Sequence, residues 1–67
     1  MIGLIINGEA RSFPSPLTLA QLVDNLSLLG KRIAIEKNGE IVPRSQYPET
    51  TLADNDHLEI VVAVGGG

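Results

Sequence analysis

The sequence predicts an α+β domain in which a mixed sheet of four to five strands wraps around one helix, in the order ββαβββ. Two Asn-Gly pairs, Asn7-Gly8 and Asn38-Gly39, each separate two strand-like runs, and this pair is the strongest short signal for a β-hairpin. A helix start lies between the two hairpins. Because one helix can cover one face of a sheet, we expect the first and last strands to lie parallel at its centre.

The first hairpin is predicted from residues 1–6, which are almost wholly apolar, and from Glu9–Phe13 after the turn. Pro14 and Pro16 end the second strand, because proline lacks the N–H that a strand ladder needs.

The helix is predicted from a capping box, in which the Thr18 hydroxyl accepts from the Gln21 N–H and the Gln21 side chain reaches back. Leu17 and Leu22 fit the hydrophobic staple that accompanies such a start. The apolar face predicted by helical spacing consists of Leu19, Leu22, Val23 and Leu26, with Leu29 one turn further. We expect Gly30 to end this helix in a left-handed conformation.

The second hairpin is predicted from residues 32–37 and 40–42, and Pro43 closes it at an edge of the sheet. Residues 45–51 are expected to form an irregular connection. Residues 54–56 then form a turn that leads into a last strand over residues 57–64. The alternation in this strand leaves one side fully apolar, which is typical of a strand in mid-sheet.

Composition limits the classes of function. The 67 residues suffice for one domain, contain no cysteine and carry a net charge of −3 without a run of Lys or Arg. Nucleic-acid binding requires a basic surface, so we expect no nucleic-acid partner. No apolar stretch approaches the ~20 residues that cross a bilayer, so we expect no membrane partner and a cytoplasmic location.

No catalytic or metal site is predicted within the domain. His57 is the single histidine, and the serines lack a base with an orienting partner. Asp54 and Asp56 have the first spacing of a calcium loop, but Leu58 and Glu59 stand where the next ligand and the glycine belong. We therefore expect no metal, no bound cofactor and no enzymatic activity of its own.

The remaining group that can take part in a reaction is the carboxylate of Gly67, which follows Gly65 and Gly66. We expect residues 1–64 to form the domain and residues 65–67 to form a flexible tail. Glycines without a Cβ can enter a narrow site on another protein, so Gly65 and Gly66 would provide reach and clearance. An ionised carboxylate is a poor electrophile and must be activated, typically as an acyl-adenylate. The alternative is a frayed terminus or a linker remnant.

A tail that enters a partner's site also requires a docking surface, because ordering it costs about 1–2 kcal/mol per residue. Alternation along the strands places Ile5, Val61 and Ala63 on the side of the sheet that the helix does not cover. We expect these three residues to form the partner-docking face.

The chain resembles the ThiS family, the ubiquitin-like β-grasp sulfur carriers of thiamine biosynthesis. The most specific matches are residues 38–45, Leu52 with residues 54–56, and residues 58–61 running to the triglycine end. The resemblance implies that an adenylyltransferase of the ubiquitin-activating type uses ATP and Mg²⁺ to adenylate Gly67. A cysteine desulfurase or another persulfide donor would then yield a thiocarboxylate, which delivers sulfur to thiazole synthase.

Two residues after the second hairpin differ from those common in the resembled family. Tyr47 stands where the resembled family often carries Trp, and Asn55 stands where glycine is commoner. Arg44 either contacts a partner's carboxylate or holds its own loop.

Other functions remain open at this point. The same fold and tail would suit a carrier for molybdopterin synthesis or tRNA thiolation. They would also suit a modifier that is coupled to lysines through Gly67, or a β-grasp binding module with an inert tail.

Overall fold

The computed structural model describes residues 1–63 and confirms the predicted fold class. The elements in chain order are β1 Ile2–Ile6, β2 Glu9–Phe13, α1 Leu19–Asn25, β3 Ile33–Lys37, β4 Glu40–Ile41, a 3-10 helix Arg44–Glu49 and β5 Asp56–Val62. The five strands form one sheet in the order β2-β1-β5-β3-β4. β1 and β5 are parallel at its centre, as expected, and the other pairs are antiparallel.

Both Asn-Gly pairs form the predicted hairpin turns. Asn7 and Gly8 have φ of 51° and 84°, and Asn38 and Gly39 have φ of 52° and 89°. Two successive left-handed residues give the turn whose twist matches that of the flanking strands. The second hairpin ends in the two-residue strand β4, which lies at a sheet edge as Pro43 indicated.

The helix begins as predicted. The Thr18 Oγ1 accepts from the Gln21 N–H at 3.1 Å, and the Gln21 Oε1 accepts from the Thr18 N–H at 2.8 Å. Leu17 and Leu22 are both buried beside this start, which agrees with the hydrophobic staple.

The predicted end of the helix was wrong. α1 stops at Asn25, and Ser27 takes the left-handed conformation with φ 60°. The Leu28 N–H donates to the Val23 carbonyl at 2.9 Å and the Ser27 N–H to the Asp24 carbonyl at 3.0 Å, the two bonds of a Schellman motif. This early end turns Leu28 back towards the core, where it is partly buried, and such an apolar contact commonly accompanies a Schellman motif.

The core lies between the sheet and α1, and it is aliphatic apart from Phe13 and Tyr47. Its buried members are Leu4, Ile6, Phe13, Leu17, Leu19, Leu22, Val23, Ile35, Tyr47, Leu52, Leu58 and Ile60. The alternation predicted for β1 and β5 is confirmed, because Leu4, Ile6, Leu58 and Ile60 all face the helix.

The connection before β5 is more regular than expected. Residues 44–49 form a 3-10 helix that contains Pro48 and buries Tyr47. Asp54 and Asn55 form the predicted turn, with Asn55 at φ 71°. β5 begins at Asp56, one residue earlier than expected, and Val64 of the predicted strand lies outside the described residues.

Candidate functional site

The face of the sheet that α1 leaves uncovered is the candidate docking surface, and strand register defines it. β5 contributes His57, Glu59 and Val61, all of which alternate with buried residues of the same strand. The pairs Ala34 with Val61 and Glu36 with Glu59 add two positions from β3. We call this side of the sheet the open face.

The three residues predicted to form a docking face are not all neighbours. Val61 is 63% exposed and Ala63 is exposed beyond the end of β5. Ile5 is partly buried and pairs with His57, four residues before Val61, so about 13 Å of strand separates the two positions. Ile5 therefore lies on the open face but apart from the other two.

Sequence reasoning missed two apolar residues of the open face, one of which is next to Val61. Ala34 pairs directly with it, and Ile41, which is 72% exposed, pairs with Glu36 in the adjacent row. The sequence signal for Ala34 was alternation along β3. Ile33 and Ile35 point to the core, so Ala34 and Glu36 lie on the open face once β3 is placed beside β5.

Two carboxylates lie opposite each other on this apolar patch. Glu36 and Glu59 are paired across β3 and β5, and both are exposed. Like charges directly opposite one another destabilise a strand pair. A Lys or Arg of a partner, placed between apolar side chains, would relieve this repulsion.

The acidic turn before β5 has structural roles. The Asp54 carboxylate accepts from the Gly3 N–H at 2.6 Å. Asp56 is 9% exposed and accepts from the Ala53 N–H at 2.8 Å and from the Asn38 side-chain amide at 3.1 Å. These bonds hold the start of β5 against β1 and the second hairpin.

Arg44 holds its own part of the chain. Its Nη2 donates to the Lys31 carbonyl at 2.7 Å, which links the 3-10 helix to the segment that follows α1. Of the two roles considered for Arg44, this contact supports the structural one. Tyr47 lies in the core below, with 5% of its surface exposed.

The predicted reactive tail, Gly65, Gly66 and Gly67, lies outside the described residues. Within residues 1–63, no group of three or more His, Asp or Glu side chains could hold a metal ion. None of the helices in that range is long and apolar enough to cross a membrane.

Comparison with known proteins identifies relatives of this chain. The model of the ThiS family matches residues 4–67. The sulfur carrier protein ThiS of Bacillus subtilis is 40% identical over 50 residues, which cover 75% of this chain and 76% of that protein. The crystal structure of the thiamine biosynthesis protein ThiS from Geobacter metallireducens superposes with a TM-score of 0.82 at 28% identity, covering 98% of this chain and 100% of that chain.

A longer relative contains the same unit as one part. The thiazole synthase of Paramagnetospirillum magneticum is 44% identical over 64 residues, which cover 96% of this chain and 20% of that protein. The chain therefore spans one fifth of this relative's length.

Proposed function

Because the chain belongs to the ThiS family, we propose that it is a sulfur carrier of thiamine biosynthesis and acts as a protein co-substrate of enzymes. The family match over residues 4–67, which includes the triglycine end, carries this proposal.

The reacting group in this proposal is the carboxylate of Gly67. One of its oxygens attacks the α-phosphorus of ATP on an adenylyltransferase of the ubiquitin-activating type, and pyrophosphate leaves with its Mg²⁺. The terminal sulfur of a donor persulfide then attacks the acyl carbon, and AMP leaves. A second thiol cleaves the resulting acyl disulfide, which releases the thiocarboxylate and a disulfide. Gly65 and Gly66 carry no side chain that would obstruct these sites.

The sulfur donor in this scheme is a cysteine desulfurase or another persulfide protein, because the chain itself contains no cysteine. ATP and Mg²⁺ belong to the activating enzyme. The absence of disulfides suits a reducing cytoplasm.

Thiazole synthase is the proposed acceptor. Relatives named thiazole synthase, from Paramagnetospirillum magneticum and Magnetococcus marinus, contain a segment that resembles this chain in about a fifth of their length. Joining two units in one chain raises their effective concentration for each other. This juxtaposition favours thiazole synthase over a molybdopterin or tRNA acceptor.

The open face is the proposed docking surface, with Val61 and Ala63 nearest the tail and Ile5 further along the sheet. Exposed Val61 and Ile41 provide apolar contact area, and the Glu36–Glu59 pair provides charge. A partner surface with one or two basic residues among apolar ones would complement this arrangement.

Intact-mass analysis tests the proposed chemistry. The full chain is incubated with the adenylyltransferase, Mg-ATP and a sulfur donor, and we expect a mass gain equal to the replacement of one oxygen by sulfur, located by fragmentation at Gly67. A chain lacking Gly67 is the matched control and should stay unmodified. An unmodified full chain, under conditions that convert an established ThiS protein, would refute the proposal.

The acceptor is tested separately with the thiocarboxylate form. Incubation with thiazole synthase and its small-molecule substrates should consume the thiocarboxylate and yield the thiazole product. Consumption by molybdopterin synthase or a tRNA-thiolating enzyme in place of thiazole synthase would assign the chain to another route.

A further inference from the structure

A groove opens between α1 and the 3-10 helix, in the layer that lies on the opposite side of the sheet from the open face. Its volume is about 250 Å³. Its lining is apolar apart from the Arg44 side chain and the Tyr47 hydroxyl, with Ala20, Val23, Leu29 and Pro48 providing most of the wall. The proposed sulfur chemistry gives this groove no role.

Leu29 forms an exposed apolar wall of the groove. The side chain is 64% exposed. The Lys31 N–H donates to the Leu28 carbonyl at 3.1 Å, and Gly30 has φ 81°, so a tight turn holds Leu29 away from the core. Its position is therefore fixed by the backbone.

The guanidinium of Arg44 makes the groove positive. Its bond to the Lys31 carbonyl uses one of the five N–H donors and leaves the others for an acceptor. Lys31, whose carbonyl accepts this bond, is itself a basic residue. Asp24 and Glu49 lie on the same two elements, but neither is among the residues in the range 1–63 that line the groove.

Size and charge together select the occupant. The groove is smaller than the roughly 300–1,000 Å³ typical of small-molecule sites, so it suits a single inserted side chain. The Arg44 guanidinium at the groove favours a carboxylate. We propose that this groove is a second docking site, for an acidic segment of a partner protein that inserts one apolar side chain beside Leu29 and sets a carboxylate on Arg44.

The two docking surfaces would then be usable at the same time. The groove lies in the helix layer and the open face lies across the sheet, so a partner held in the groove leaves Val61 accessible. The groove proposal does not depend on the chemistry of Gly67, and a negative result for either leaves the other standing.

The test uses the full chain labelled with ¹⁵N and a defined peptide, acetyl-Glu-Glu-Leu-Glu-Ala-Leu-Glu-Glu-amide. A counterpart with Lys at every Glu position is the charge control. At peptide concentrations up to about 1 mM, which half-fills a site with a dissociation constant of that size, we expect saturable amide shifts at Val23, Gly30 and Tyr47. Binding should weaken as salt concentration rises.

Two variants separate charge from apolar contact. Arg44→Gln should weaken binding about fivefold or more, because a charge-assisted hydrogen bond is lost. Leu29→Ser leaves Arg44 in place and should weaken binding to a similar degree, and its exposure means that the fold should survive. Ile41→Ser removes an equally exposed apolar side chain from the open face and should leave peptide binding unchanged.

Four results would overturn the proposal. The first is an absence of saturable shifts at the groove up to the highest peptide concentration. The second is equal binding of the lysine peptide, and the third is a set of shifts confined to β5. The fourth is unchanged affinity in both folded variants.

Discussion

The side chain of Asn7 makes two hydrogen bonds to the backbone of Ile60. Its Nδ2 donates to the Ile60 carbonyl at 3.1 Å, and its Oδ1 accepts from the Ile60 N–H at 2.7 Å. The Asn7 N–H also donates to the Leu58 carbonyl at 2.9 Å. The asparagine therefore continues the parallel β1–β5 ladder past the point where β1 turns away.

Asn38 does the same on the other side of β5. Its N–H donates to the His57 carbonyl at 2.8 Å, and its Oδ1 accepts from the His57 N–H at 2.9 Å. Its Nδ2 donates to Asp56. The two hairpin turns thus hold the last strand from both sides, and this strand carries Val61 and leads towards the tail.

The Asn7 amide should contribute measurably to stability. Asn7→Gly keeps a residue that tolerates positive φ but leaves both polar groups of Ile60 without this partner, so the free energy of unfolding should fall by about 1–3 kcal/mol. Urea denaturation measures the change. Asn55→Gly is the matched control, since Asn55 also has positive φ and no side-chain hydrogen bond is found for it within residues 1–63. Equal effects of the two substitutions would contradict the proposed role.

Asp56 should matter more than Asp54. Asp56→Ala leaves the Ala53 N–H and the Asn38 amide without their acceptor in a partly buried site, so we expect a loss of about 2–3 kcal/mol. Asp54→Ala removes one exposed bond, to Gly3, and should cost less than about 1 kcal/mol. Thermal and urea unfolding of both variants provide the comparison, and a larger loss for Asp54→Ala would disprove this ranking.

Replacing Ser27, the left-handed residue after α1, by glycine should stabilise the fold. Ser27→Gly removes the steric cost of φ 60° and should raise the free energy of unfolding by about 1 kcal/mol. Gly30→Ala should instead lower the free energy of unfolding, by about 1–2 kcal/mol. A Cβ at this position meets no atom within 4 Å, so the cost comes only from its positive φ. Denaturant midpoints decide the signs, and a destabilised Ser27→Gly would show that the serine hydroxyl has another role.

Partner binding through the open face should depend on Val61. Val61→Asp places a third carboxylate beside Glu59 and Glu36 and removes apolar contact area, so the affinity for the adenylyltransferase or thiazole synthase should fall about tenfold or more. The side chain is 63% exposed, so unfolding should change little. Ser45→Asp adds the same charge on the 3-10 helix and should preserve affinity. Calorimetric titration of each variant with each enzyme measures the affinity. Unchanged binding by Val61→Asp would show that the interface does not include the open face.

Prediction from sequence succeeded where the determinants are local. The capping box at Thr18 and Gln21 involves residues three apart, and the turns at Asn7 and Asn38 depend on the φ tolerance of each Asn-Gly pair. Prediction failed at the end of α1. The helical spacing continues to Leu29, but the helix ends at Asn25, Ser27 is left-handed and Leu28 packs against the core.

Some features of the candidate site were likewise predictable from local sequence, and others depend on tertiary contacts. Alternation within β5 identified Val61 on the open face, because side-chain direction has a period of two. The distance of Ile5 from Val61 depends on the register between β1 and β5, which is fixed by hydrogen bonds between residues more than fifty positions apart.

The sequence by itself determined the turns, the start of the helix, the faces of each strand and the family, all of which depend on residue types at short spacing. Tertiary structure alone decided that the amides of Asn7 and Asn38 hold β5, and that Arg44 and Leu29 meet across a groove. The physical reason is that these partners are remote in sequence, and contacts between remote residues are specified only once the core has set the register.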